Sequence, residues 1–114
     1  MKELEVYKSI VDIIAYSNKF ILSSFPKTEP ALKIKFTDSL YSLLENVIRV
    51  NVNTGSIRLK FQRELLVTAH FLDYYIEEIK KHDIITNKRY IAFVSKLNGI
   101  NKLVNGWIRS EKTC

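Results

Sequence analysis

The sequence predicts an all-α fold, an up-down-up-down antiparallel four-helix bundle, and three observations carry that expectation. Apolar residues recur at three- and four-residue steps in four long stretches. The connections between those stretches are short and hold most of the helix-breaking residues, since the whole chain has only three Gly and two Pro. Four helices of similar length joined by short loops bury their apolar faces most simply as an antiparallel bundle. With 114 residues the chain builds one core, not two, so a single domain spans 1–114.

The first helix is expected over 3–24, with Leu4, Tyr7, Ile10, Val11, Ile14, Ile21 and Phe25 inward and Glu5, Lys8, Asp12 and Lys19 between them. Phe25-Pro26-Lys27-Thr28-Glu29-Pro30 breaks it, because a residue before proline is pushed out of the helical region. Pro30 suits the first turn of the next helix, with Thr28 as its cap. That second helix, 29–52, carries Phe36, Leu40, Leu43, Val47 and Val50 in one stripe, widened by Leu44 and Ile48. Its β-branched end continues the helical pattern of Leu40 to Leu44, which argues against a strand. Asn53 or Gly55 supplies the left-handed stop, and Thr54 or Ser56 caps the next helix.

The third helix, 57–81, points Leu59, Leu66, Ala69, Leu72, Ile76 and Ile79 inward, with Phe61, Leu65 and Tyr75 beside them. Lys80-Lys81-His82 complements the negative end of its dipole. Thr86 caps the fourth helix, 87–109, which Tyr90 or Ile91, Val94, Leu97, Val104, Trp107 and Ile108 line. Gly99 and Gly106 lie one heptad apart on nearly one face. Each costs a helix about 1 kcal/mol relative to alanine, so close packing is expected at Gly99, Gly106, Trp107 and Ile108, with Trp107 sealing one end of the bundle.

Eighteen Lys and Arg against twelve Asp and Glu give a net charge of +6, which raises the expectation of a polyanionic partner. On an antiparallel bundle one end gathers Lys19, Lys27, Lys33, Lys35, Lys80, Lys81, Lys88 and Arg89, and the other Arg49, Arg58, Lys60, Arg63, Lys102 and Arg109. Arg58, Lys60 and Arg63 are the leading phosphate contacts, followed by Arg49, Lys96 and Arg109; solvated charge is the plain alternative for each. Apolar faces broader than one small core requires, as at Phe61, Leu65, Phe71, Tyr74 and Tyr75, favour a homo-oligomer.

The chain shows no sign of an enzyme. His70 and Asp73, with Glu77 a turn on, resemble half of a di-iron ligand set, but the second acid-x-x-His unit is missing and His70 reads as a half-buried hydrogen-bonding residue. No phosphate loop, nucleophile elbow or Cys/His arrangement is present, so neither metal nor cofactor is expected. The single cysteine, Cys114, forms no internal disulfide or zinc cage, no apolar run is long enough for a bilayer, and the acidic N-terminus is not a secretory signal. A cytoplasmic protein without a membrane partner is expected.

Ser24-Phe25-Pro26-Lys27, the basic start of the third helix, Ile84-Ile85-Thr86-Asn87-Lys88-Arg89-Tyr90, and the ending Leu103-Val104-Asn105-Gly106-Trp107-Ile108-Arg109-Ser110 together resemble a known family. They are similar to the accessory variability determinant (Avd) proteins of diversity-generating retroelements, within a larger group that includes the 23S rRNA intervening-sequence proteins. Gly-Trp-Ile-Arg-Ser is the most specific part, and the likeness covers nearly the whole chain. The Pro-Ser-Asn-Ile-Ala-Glu-Gly-like stretch of the 23S type is absent, which favours the Avd-like branch; Pro30 departs from the usually proline-free helix entry. The resemblance implies a basic bundle assembled as a barrel-like homopentamer. It further implies binding to RNA and possibly DNA, and association with a reverse transcriptase during mutagenic copying of a template RNA. The rival expectation is an oligomeric helical interaction scaffold with no physiological nucleic-acid binding.

Overall fold

The computed structural model describes residues 2–112. Over these residues four helices form a bundle: α1 (Lys2–Phe20), α2 (Pro30–Val52), α3 (Gly55–Lys81) and α4 (Asn87–Lys112), with a short 3-10 turn, Leu22–Ser24, after α1. The bundle measures 48 × 23 × 19 Å. Helix α2 packs on α1 and α3, and α4 packs on α3 and α1. Cys114 lies outside the described residues.

Helix ends obey local chemistry. The first helix stops at Phe20, short of the expected Ser24. Pro26 holds Phe25 extended, and the Ser23 and Ser24 hydroxyls donate to the carbonyls of Lys19 (2.8 Å) and Phe20 (3.3 Å). Hydroxyls that satisfy the last carbonyls let the chain tighten into the 3-10 turn. Pro30 takes the first position of α2, but Glu29 rather than Thr28 precedes it, and its side chain makes no capping bond. Of the two candidate left-handed residues, Gly55 adopts φ +63° while Asn53 is extended, so α3 begins two residues before the expected Ile57. Thr54 precedes it without a side-chain cap.

At the far end of α3, Asp83 turns left-handed (φ 57°), and the Ile84 N–H reaches back to the Ile79 carbonyl at 3.2 Å. That is a Schellman-type stop, and it drops Ile84 and Ile85 onto the core. Thr86 caps α4 as expected, its hydroxyl accepting the Arg89 N–H at 3.2 Å. The helix continues to Lys112, three residues past the expected end at Arg109, which brings Glu111 into the bundle.

The α2 stripe is as read from sequence: Phe36, Leu40, Leu43, Val47 and Val50 are fully buried, with Leu44 partly so and Ile48 exposed. Elsewhere the expected stripes hold in part: Ile10 and Ile14 of α1, Ala69, Leu72, Ile76 and Ile79 of α3, and Leu97 and Val104 of α4 are buried as read, while other positions differ. On α1 the buried set is Val6, Ile10, Ile13, Ile14 and Ser17, while Leu4, Tyr7 and Val11 face outward. On α3 it is Gln62, Leu65, Thr68, Ala69, Leu72, Ile76 and Ile79, with Leu59 and Leu66 at the margin. On α4 Phe93 and Ile100 take the central places, leaving Ile91 exposed. Phe36 and Phe93 meet mid-core with ring centroids 5.4 Å apart.

Trp107 and Ile108 are buried as expected, but the glycines beside them do not admit a neighbouring helix. A Cβ on exposed Gly99 would meet nothing within 4 Å, and one on Gly106 would meet only the Lys2 ammonium at 3.6 Å. Gly99→Ala is therefore expected to stabilise the protein by about 0.5–1 kcal/mol, through helix propensity and a less flexible unfolded chain. A thermal midpoint that falls instead would show that another molecule packs there.

Candidate nucleic-acid interface

Arg58 heads the phosphate contacts expected from sequence, and the structure gives it different work. It sits in the first turn of α3 with its side chain only 19% exposed. Its Nε and Nη2 donate to the two carboxylate oxygens of Glu111 at 2.9 and 2.8 Å, a two-pronged pair. Nη1 donates to the Val50 carbonyl at 2.8 Å, and Nη2 also reaches Glu3 at 3.4 Å. Above this fork the guanidinium lies 5.2 Å from the Trp107 ring centroid, and Gln62 donates to Glu111 at 3.1 Å. One side chain thus ties the ends of α2 and α4 to the starts of α1 and α3. The arrangement holds the Glu111 carboxyl below its ordinary range, chiefly through the Arg58 hydrogen bond, and raises Arg58 through that same bond. A guanidinium so engaged has little left to offer a phosphate.

Lys96 is also committed: its ammonium donates to Asp12 at 2.7 Å and lies 5.3 Å from the Tyr16 ring centroid, joining α4 to α1. Of the eighteen Lys and Arg residues, only Arg58 and Lys96 form ion pairs with carboxylates among the described residues.

The other four expected contacts are exposed. Arg49 on α2 and Lys60 on α3 come together on one ring: each cation lies 5.8 Å from the Phe61 centroid. Arg49 also donates to Asn46 at 3.3 Å. Arg63 stands about one turn along α3 from Lys60. Arg109 is on α4 and shares no ring or hydrogen bond with these residues, so the structure joins Arg49 and Lys60 through Phe61, with Arg63 one turn on, rather than all six. Asparagine at 46 and an aromatic at 61 were the unused signals, since the ring between the two cations is what gathers them.

The opposite end has its own clamp. His82 pairs with Glu29, joining the end of α3 to the entry of α2, and lies 3.7 Å from Glu78. Glu29 raises the His82 pKa above 6.5, first by hydrogen bonding and then by charge. The contribution of this pair is complete below pH 6.5 and fades as pH rises through the elevated value. Arg89 at this end donates to the Phe20 carbonyl and the Ser24 hydroxyl at 3.0 and 3.1 Å.

His70 and Asp73 are exposed on α3, not half-buried, and no group of three or more His, Cys, Asp or Glu among the described residues is arranged to hold a metal. No described helix is long and apolar enough to cross a membrane.

Among solved structures, the chain is similar to a protein of unknown function from the S23 ribosomal protein family of Bacteroides thetaiotaomicron. The TM-score is 0.85 at 18% identity, over 96% of this chain and 99% of that one. The likeness is one of fold. No protein-family model and no curated protein matches the chain.

Proposed function

We propose that this chain is a non-enzymatic, cytoplasmic accessory protein that binds nucleic acid as an assembled ring of antiparallel bundles. It follows the Avd-like resemblance: five copies form the ring, RNA and secondarily DNA are the ligand, and a reverse transcriptase is the partner that performs the chemistry. The antiparallel arrangement is supported by contacts that run in opposite order along α1 and α4: Lys2 with Gly106, Asp12 with Lys96, Phe20 with Arg89. Self-assembly is supported by an exposed apolar face on the two helices flanking one seam, Leu4, Tyr7 and Val11 of α1 and Tyr41, Ile48 and Val52 of α2.

The observation that carries the nucleic-acid reading is the Arg49, Lys60 and Arg63 cluster, exposed and without carboxylate partners among the described residues. Phosphate contacts require cations of this kind, free to release counterions. Reversing Lys60 and Arg63 to glutamate is expected to weaken binding to a structured RNA roughly tenfold and lower the salt slope by about 1–2. Both side chains are exposed, so the stability should change by no more than about 0.5 kcal/mol. Unchanged affinity and slope would remove the cluster from the interface. Affinity that disappears at physiological salt while self-assembly persists would favour the interaction scaffold.

A further inference from the structure

A second surface lies between α2 and α3, distinct in its residues from the exposed apolar face of α1 and α2. It is an open groove of about 450 Å³, polar along α2 and carrying aromatic and polar side chains and one aliphatic side chain, Val67, along α3. Phe71 and Tyr75 form the aromatic wall, their rings near-parallel at 19° with centroids 6.4 Å apart. Phe71 remains 54% exposed, so one ring of the stack is open to a third. Opposite stand Ser42, Asp38 and Lys35 of α2, with Glu64 beside them on α3.

Glu64 is half-buried, and neither it nor Asp38 makes a hydrogen bond or ion pair with another described residue. A carboxylate partly withdrawn from water gains from N–H donors, and although Lys35 lines the same groove, no described residue donates to Glu64 or Asp38. A flat π-surface, acceptor-only carboxylates and a flanking ammonium match three parts of one ligand: a base to stack, its amino group to donate, and a phosphate to neutralise. An aliphatic protein surface would satisfy the ring and strand the two acids.

We propose that this groove holds an unpaired, amino-bearing nucleobase of a single-stranded nucleic acid. The base stacks on Phe71, its exocyclic amine donates to Glu64 or Asp38, and Lys35 meets the adjacent phosphate. The inference rests on the nucleic-acid reading above and adds a base preference that the Arg49, Lys60 and Arg63 cluster does not supply, since phosphate contacts are blind to sequence.

The test uses the full chain, with fluorescence anisotropy on labelled oligocytidine, oligouridine and a short RNA duplex. Oligocytidine is expected to bind more tightly than oligouridine, which has no amino group. Phe71→Ala should weaken oligocytidine binding roughly tenfold and leave the duplex unchanged, while Phe71→Trp retains the stacking platform. Glu64→Gln and Asp38→Asn together should narrow the gap between the two homopolymers. If Phe71→Ala leaves oligocytidine binding intact while K60E/R63E weakens all three ligands, the groove is overturned and the nucleic-acid reading stands. Absence of binding to any of the three overturns both. A fall in solution mass by light scattering in Phe71→Ala would assign the groove to contact between copies and overturn the base site.

Discussion

Trp107→Ala should destabilise the protein by about 3–5 kcal/mol, the largest single-residue effect expected here. The indole is 2% exposed and lies between the end of α4 and the Arg58 fork. Truncation removes its transfer free energy and leaves a void that the buried Val104 and Ile108 on the adjoining turns of α4 cannot fill without moving backbone. It also takes away the aromatic face under the Arg58 guanidinium and a hydrogen-bonding group that helps hold Glu111 ionised. For a domain of this size the thermal midpoint should fall by roughly 15 °C or more, read by the far-ultraviolet circular dichroism of the helices. Trp107→Phe keeps most of the volume and should recover well over half of the loss. A midpoint within a few degrees of the parent protein for Trp107→Ala would mean that this end of the bundle frays independently of the core.

The α2 stripe was legible because five apolar residues at strict helical spacing leave only one phase available. The same reasoning is half right on α1, where Ile10 and Ile14 are buried as expected but Val6 and Ile13 take the inward places given to Leu4, Tyr7 and Val11. A helix apolar around more than half its circumference has no single stripe, and only its neighbours choose. On α3 the divergence begins at Leu59. Starting the stripe there hides the heptad of Arg58, Leu65, Leu72 and Ile79, in which an arginine takes the core-facing phase. That phase is the available signal that Arg58 is internal, and ending the fourth helix at Arg109 removes its partner from view.

The charges divide along the same line. Arg58 and Lys96 face carboxylates across helix seams and serve the bundle, whereas Arg49, Lys60 and Arg63 face water. Net charge counts all five alike, and composition cannot tell a cation that holds helices together from one held out for a ligand. Cross-helix register makes that distinction, and register emerges only when the four helices are packed. The glycines illustrate the converse: Gly99 has no intramolecular neighbour and Gly106 only the Lys2 ammonium, so their shared helix face does not mark close helix packing within the chain.

Arg58→Ala should cost about 2–3 kcal/mol and separate the two kinds of cation experimentally. Breaking a fully buried pair costs roughly 3–5 kcal/mol, and the 36% exposure of the Glu111 side chain lets water recover part of that penalty. The Val50 carbonyl loses its donor and the Trp107 ring loses its cation as well. Arg58→Lys retains charge without the two-pronged geometry and should recover less than half of the loss. RNA affinity of the folded Arg58→Ala protein should change far less than that of K60E/R63E, since the guanidinium is already engaged. Acid supplies the matching control. The Glu111 carboxyl is lowered by Arg58, so its stabilisation is complete above the unfolded value near pH 4.5 and is lost as pH falls through the depressed folded value. The stability gap between parent and Arg58→Ala should therefore narrow below pH 4.5, followed by urea unfolding across an acid series. A gap that stays constant through that range would locate the effect of Arg58 in packing against Trp107 rather than in its charge.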